Sequence, residues 1–308
     1  MEHYEPVLEK VAEKFPVHSE TFLALPAYLN FKFGDKIMRR LIYLILLIST
    51  LCAPAIGHDF WLEADQFHLN SGDVVKMNIR LGHPEDKSDW ALDPDRLVAF
   101  RSFNSAGVSD LQLYFQSLEG SSIPFRLNQS GLNVVTIEST ESFSELEAEK
   151  FNEYIDREGL STIKFYRSNR SLEQEPGREF YSRRAKALMQ IGGTQTTDQQ
   201  IATNPVGLSL EIVPLANPYA LEKSDPFDVL ILYRGRPLPG ATVKLLNIGE
   251  HHGHTKLSLS NGNGIASFPR PHKGKWMMQV IWSDILEHSR DAEFSTIFSS
   301  LSFEFIDN

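Results

Sequence analysis

Apolar and polar positions alternate with a period of two along much of this chain. Val75, Met77, Ile79 and Leu81 interleave with Lys76, Asn78 and Arg80, the pattern of a half-buried strand. His58, Phe60 and Leu62 alternate with Asp59 and Glu63 just upstream. Between the two lies Asn70-Ser71-Gly72-Asp73, a cluster of turn-forming residues. A hairpin closed there opposes residues whose numbers sum to about 141, bringing His58 opposite His83, with Cβ atoms roughly 4.5–5.5 Å apart. By the same parity Asp59 points away from that pair. Pro84 ends the strand, because proline offers no ladder N–H.

Further strands are expected at Leu97–Phe100, Leu111–Phe115 and Leu132–Ile137. Short strands separated by turns read as a β-sandwich. A helical insertion follows over about 142–191. Ser142-Phe143-Ser144-Glu145 has the form of a capping box, and Gly159 stops that helix. A second helix is expected over Gly177–Ile191, with Arg178, Arg183, Arg184 and Lys186 as a basic, solvated stripe. Thr194–Pro205 is polar and reads as a linker or exposed loop. Strands then return at Leu208–Val213, Phe227–Tyr233, Ala241–Leu246, Gly264–Phe268, Trp276–Trp282 and Phe298–Phe305. The fold class expected is mainly β, two immunoglobulin-like sandwiches with a helical insertion, divided as 58–205 and 206–308.

The beginning of the chain departs from this pattern. Met38-Arg39-Arg40 precedes an apolar run from Leu41 to Cys52, and Ala55 and Gly57 are small residues at the −3 and −1 positions of a cleavage site. That is the layout of a signal peptide over 38–57. The run to Ile56 is shorter than the roughly 20 apolar residues of a spanning helix. Leu51 directly before Cys52 argues against lipoprotein processing. Met38 reads as the true start, with 1–37 a spurious or disordered extension. The expected location is the periplasm.

Cleavage after Gly57 gives a protein beginning His58-Asp59-Phe60-Trp61-Leu62. Residues 1–57 hold six Lys/Arg and six Asp/Glu, so the net charge of −10 is retained. That balance disfavours nucleic acid as a partner, whose binding rests on Lys and Arg contacts to phosphate. The one cysteine, Cys52, leaves with the signal. No disulfide or thiolate ligand then remains, and a metal must use His, Asp, Glu or the free amine. A free N-terminal histidine offers its α-amine and its imidazole together, donors suited to nickel, copper and zinc. His83 supplies a second imidazole in this reading. His251, His252 and His254, three histidines in four residues of a loop, form a secondary candidate site. His68, His272 and His288 stand alone and read as structural or exposed.

Several stretches, in order, resemble the bacterial periplasmic family of domain of unknown function 4198. They are His58–Leu62, Leu81-Gly82-His83-Pro84, Pro94-Asp95-Arg96, Leu146–Phe151, Tyr181-Ser182 with Ala185–Leu188, Gly235–Ala241 and Ser300–Glu304. Ala64 and Ser260-Asn261 depart from the family's usual residues, and neither touches the candidate ligands. The family is grouped with periplasmic components of nickel and cobalt uptake systems. The resemblance implies a two-sandwich periplasmic protein connected with nickel or cobalt, with His58 and His83 at the family's histidine positions.

The expected function is binding of a divalent transition metal, nickel or cobalt with copper as a further candidate, for a membrane metal transporter. No catalytic role is expected. An N-terminal histidine with a second histidine is also the ligand set of copper-dependent polysaccharide oxygenases, but Trp61 reads as a buried strand residue and not as part of a flat binding face. The alternative is a structural or protein-binding β-sandwich module without metal.

Overall fold

The computed structural model describes residues 59–90, 94–117, 122–249 and 255–306. All of them fall within one compact unit, Pro54–Asn308. The signal segment, His58 and the His251–His254 loop lie outside the described residues.

The fold is mainly β. In chain order the strands are β1 (Asp59–Ala64), β2 (His68–Leu69), β3 (Val74–Gly82), β4 (Ser88–Asp89), β5 (Leu97–Asn104), β6 (Gly107–Asp110), β7 (Ser122–Arg126), β8 (Gly131–Ser139) and β9 (Ser142–Leu146). Helices α1 (Ala148–Arg157) and α2 (Ser161–Asn169) follow, then the long β10 (Gly177–Ile191) and the short α3 (Asp198–Thr203). The rest is β11 (Leu210–Pro214), β12 (Pro226–Tyr233), β13 (Arg236–Pro237), β14 (Thr242–Asn247), β15 (Lys256–Leu259), β16 (Ile265–Pro269), β17 (Gly274–Ile285) and β18 (Phe294–Phe305).

One ten-stranded sheet organises these elements. Its main path runs β15-β14-β17-β18-β10-β8-β5-β6, with β2 and β9 also paired to β10. Strands from both halves of the sequence meet where β10 and β18 pair in parallel, from Glu179–Phe294 to Ala187–Ser302. The sheet is therefore continuous across residue 205. A parallel pair needs a long crossover, and everything from α3 to β17 forms it.

Each face of this sheet is covered separately. Ala185, Ala187 and Met189 of β10, with Val135 and Ile137 of β8, face the sheet β1-β3-β4 with β7 and share a core with Phe60, Val75, Met77 and Phe125. Leu188, Val134, Leu301 and Phe303 point the other way, onto the sheet β11-β12-β13 with β16, where Ile212, Phe227, Val229 and Phe268 meet them. The helices close the remainder of the first face: Phe151, Tyr154 and Ile155 pack on Ile281, Phe294 and Phe298. The result is sandwich-like layering on both sides of a shared sheet.

Several sequence expectations need correction. Gly177–Ile191 is a strand and not a helix. Its apolar residues serve both cores, and a strand buried on both faces loses the clean alternation that marks one covered side. Gly177 is required there, since a Cβ would stand 2.2 Å from Cγ of Phe151 on α1. The basic residues consequently form no solvated stripe. Lys186 is buried in an ion pair with Glu211 at 2.8 Å, and Arg184 pairs with Glu138 at 3.2 Å. Ser142–Leu146 is strand β9, paired with β10, so the Ser142–Glu145 capping box is not used. The helix begins at Ala148 and ends at Arg157, just before Gly159 at φ +68°. Leu111–Phe115 is mostly a 3-10 turn, Gln112–Ser117. Part of the expected linker is α3, whose buried Asp198 accepts from the backbone N–H of Leu132 and Gln195.

Candidate functional site

The pairing of β1 with β3 runs Asp59–Gly82, Phe60–Leu81, and so on to Ala64–Met77. These numbers sum to 141, the register expected from the sequence. The connection is more than a tight turn, because β2 leaves it to pair with β10. The register is held by burial: Phe60, Trp61 and Leu62 are all essentially inaccessible, and a slip of one residue would exchange their two sides. Trp61 packs with Leu246, Ile248 and Met277. The Ser302 hydroxyl donates to the Leu62 carbonyl at 2.5 Å, tying β1 to the central sheet.

His83 follows directly. Gly82 sits at φ +117°, and a Cβ there would lie 2.6 Å from the Asp86 carbonyl oxygen. This left-handed residue interrupts the strand alternation just before His83. The consequence corrects the sequence reading of Asp59. Its carboxylate is buried and lies 3.6 Å from His83 Nδ1, instead of pointing away. Bonding to Asp59 raises the His83 pKa above its usual value, against burial and the charge of Arg157. The imidazole remains 39% exposed. The contact is an ion pair slightly beyond hydrogen-bond length; a carboxylate closed onto that nitrogen would orient the ring as in histidines that take a metal through the other nitrogen.

Behind this pair the surroundings are polar and covered. Arg157, at the end of α1, bonds to Glu158 at 3.0 Å, and Glu158 pairs with Lys244 of β14 at 2.6 Å. Lys244 stands in one cross-strand row with Gln279 and Ser300. Gln279 is 1% exposed, and neither atom of its side-chain amide has a hydrogen-bond partner among the described residues; nor has the buried Ser300 hydroxyl. Further along the same face, Arg183 is buried against Phe60, Tyr181 and Phe298. Glu179 accepts from Thr296 at 2.6 Å, and burial pushes its carboxyl up to about 7.

Of the five histidines singled out from the sequence, the described residues include His83 alone; His58, His251, His252 and His254 lie outside them. Among the described residues no group of three or more His, Cys, Asp or Glu side chains is arranged to hold a metal. His68 is structural, with Nε2 3.0 Å from the Glu304 carbonyl oxygen. His288 is exposed, and the His272 ring stands edge-on to Trp276. Sequence reasoning missed Gln279 and Ser300. Gln279 carried a signal, as a polar residue inside the apolar run Trp276–Trp282 of β17, whereas Ser300 is one of several polar residues in β18 and nothing in the sequence singles it out.

No helix among the described residues is long and apolar enough to cross a membrane. The family model described as a domain of unknown function, DUF4198, matches residues 55–284. No curated protein matches the chain. Among solved structures, a crystal structure of a tetra-tandem repeat in the extending region of a large adhesion protein aligns at 9% identity with a TM-score of 0.19. The alignment covers 80% of this chain and 50% of that one, so this chain spans half the length of that relative. At that TM-score the likeness carries no argument.

Proposed function

The chain belongs to the DUF4198 family, and from that premise we propose that it is an exported periplasmic protein that binds a divalent transition metal for a membrane uptake system. Nickel or cobalt is the intended ion, with copper the competitor that intrinsic affinity favours. The two covered faces of the central sheet are, in this proposal, two immunoglobulin-like units that hold the site rigid. Its role is binding and delivery, not catalysis.

The observation that carries the reading is the Asp59–His83 pair at the end of a hairpin whose register is set by buried residues. His83 would give one imidazole, through Nε2, while Asp59 holds Nδ1. His58, next to Asp59 in sequence, would give its amine and its imidazole once the signal is removed. An amine near pKa 7.7–8.0 yields its proton to a late transition metal at neutral pH. The metal supplies a Lewis-acidic charge that binds these nitrogens, and the protein supplies their spacing. The His251, His252 and His254 loop remains a separate, weaker candidate.

The competing reading is a structural or protein-binding module without metal. The sheet that runs continuously through both halves of the chain suits such a module. Isothermal titration with nickel separates the two. The protein beginning at His58 should bind at least about tenfold more tightly than a form with one residue added ahead of it. Equal affinities remove the amine from the site. Absence of binding in both forms leaves the structural module.

A further inference from the structure

The turn Asn261-Gly262-Asn263-Gly264 joins β15 to β16 and carries the Asn-Gly pair twice. β15 belongs to the ten-stranded sheet and β16 to the sheet that covers its second face, so the turn crosses between layers. In an Asn-Gly pair the glycine nitrogen can attack the asparagine side-chain carbonyl and close a cyclic imide. That step needs a free peptide N–H, a polarised carbonyl and an open path for the departing ammonia.

The first pair meets all of these needs. Asn261 and Gly262 are both exposed, and the Gly262 N–H makes no hydrogen bond among the described residues. Asn261 Oδ1 accepts from the backbone N–H of Asn263 at 2.9 Å and from that of Ile265 at 3.1 Å. These donors fix which end of the amide is oxygen, because a nitrogen there would face N–H groups. They also stand where negative charge gathers on Oδ1 during attack, as in an oxyanion hole. Asn261 Nδ2, the leaving group, has no partner among the described residues. The second pair is set differently. Gly264 is buried, and its N–H donates to the Asn261 carbonyl at 2.8 Å. No donor among the described residues polarises the Asn263 side-chain carbonyl. The same dipeptide is thus activated at one position and blocked at the next.

We propose that Asn261-Gly262 is a self-modification site, where this turn promotes deamidation of Asn261 while it holds Asn263 inert. The Gly262 nitrogen gives its proton to solvent and bonds to Cγ of Asn261. The Cγ–Nδ2 bond breaks, and ammonia leaves with a proton taken from water. Water then opens the imide at either carbonyl, giving aspartate or isoaspartate. No oxidant or reductant is involved. Isoaspartate carries the main chain through Cγ and so lengthens the turn. The bonds from Asn261 N–H to the Ile265 carbonyl, at 2.9 Å, and from Gly264 N–H to the Asn261 carbonyl then lose their register. The modification loosens the join between the two sheets, and it is independent of the metal proposal.

The test is incubation of the folded protein at mildly alkaline pH, beside a sample unfolded in guanidinium chloride, with fragmentation mass spectrometry reading the acid formed at each position. In the folded protein Asn261 should convert at least about tenfold faster than Asn263, a fraction of the roughly 10²–10³ that one oxyanion donor is worth in an enzyme. In denaturant the two should convert at similar rates, since only the dipeptide remains, and Asn261 should be no faster there than in the folded protein. A Cβ at Gly262 meets nothing within 4 Å, so Gly262→Ala should fold. It should slow Asn261 at least about tenfold by crowding the attacking nitrogen, with the rate at Asn263 unchanged. Three results overturn the proposal: Asn263 keeps pace with Asn261 in the folded protein, Asn261 converts more slowly folded than unfolded, or Gly262→Ala leaves the Asn261 rate as it was.

Discussion

The two faces of the ten-stranded sheet are covered by different means. On the second face, Ile212, Phe227, Trp276, Phe303 and their neighbours form the core, and the buried Lys186 and Glu211 pair at 2.8 Å. On the first face, two covers meet, the small sheet carrying β1 and the helix pair. Asp59, Glu158, Glu179 and Arg183 are all buried there. Gln279 and Ser300 add unmet polar groups on that side. Unmet polar groups are not confined to that side, since the Ser299 hydroxyl, between Ile297 and Leu301 of the second core, has no partner among the described residues either. What sets the first face apart is its buried, unlike charges beside the candidate metal site.

Substitution can break this contrast, and the largest effect is expected on the second face. Trp276→Ala removes a fully buried ring, and loss of a large core aromatic costs about 3–5 kcal/mol. Chemical denaturation should show this loss with metal affinity unchanged among molecules that remain folded. Lys186→Met should come close behind. It leaves Glu211 buried without its cation, holding only the backbone N–H groups of Val206, Gly207 and Leu208. Removing one partner of a buried pair costs about 3–5 kcal/mol. A loss under about 1 kcal/mol would mean that backbone donors alone satisfy Glu211, and that the pair contributes little to this side.

The contrast was only partly legible in the sequence. Strict alternation in Val75–Leu81 and the turn cluster at Asn70–Asp73 gave the β1–β3 register, because β3 is buried on one side and its neighbours' parity is unambiguous. The same reasoning failed for β10. Ala185, Ala187 and Leu188 serve opposite cores, so their spacing imitates a helix, and only the long-range pairing with β18 reveals the strand. Asp59 was misplaced because alternation was carried through Gly82. A glycine at positive φ breaks that parity, and nothing local in the sequence announces it.

On the first face, Glu179 gives a pH signature. Burial raises its carboxyl to about 7 from an ordinary 4.5, so the folded protein holds a proton that the unfolded chain releases. Stability should thus be highest below about pH 4.5 as far as this group is concerned, fall as pH rises from there to about 7, and stay level above. Glu179→Gln keeps an oxygen for the Thr296 hydroxyl and removes the charge. It should be more stable than the parent at pH 8 by up to roughly 3 kcal/mol, with the difference vanishing below about pH 4.5. Denaturation curves of both proteins across this range check the sign. A constant difference would place the charge of Glu179 in a better-solvated setting than its burial implies.

The most direct test of the metal reading is nickel titration of the protein beginning at His58 beside its His83→Ala variant. His83 is partly exposed and lies just after β3, so the variant should fold as the parent does. The account predicts one nickel per chain for the parent and an affinity at least about tenfold lower for the variant. The same affinity and stoichiometry in both would show that His83 is no ligand, and that the Asp59 contact serves the hairpin alone.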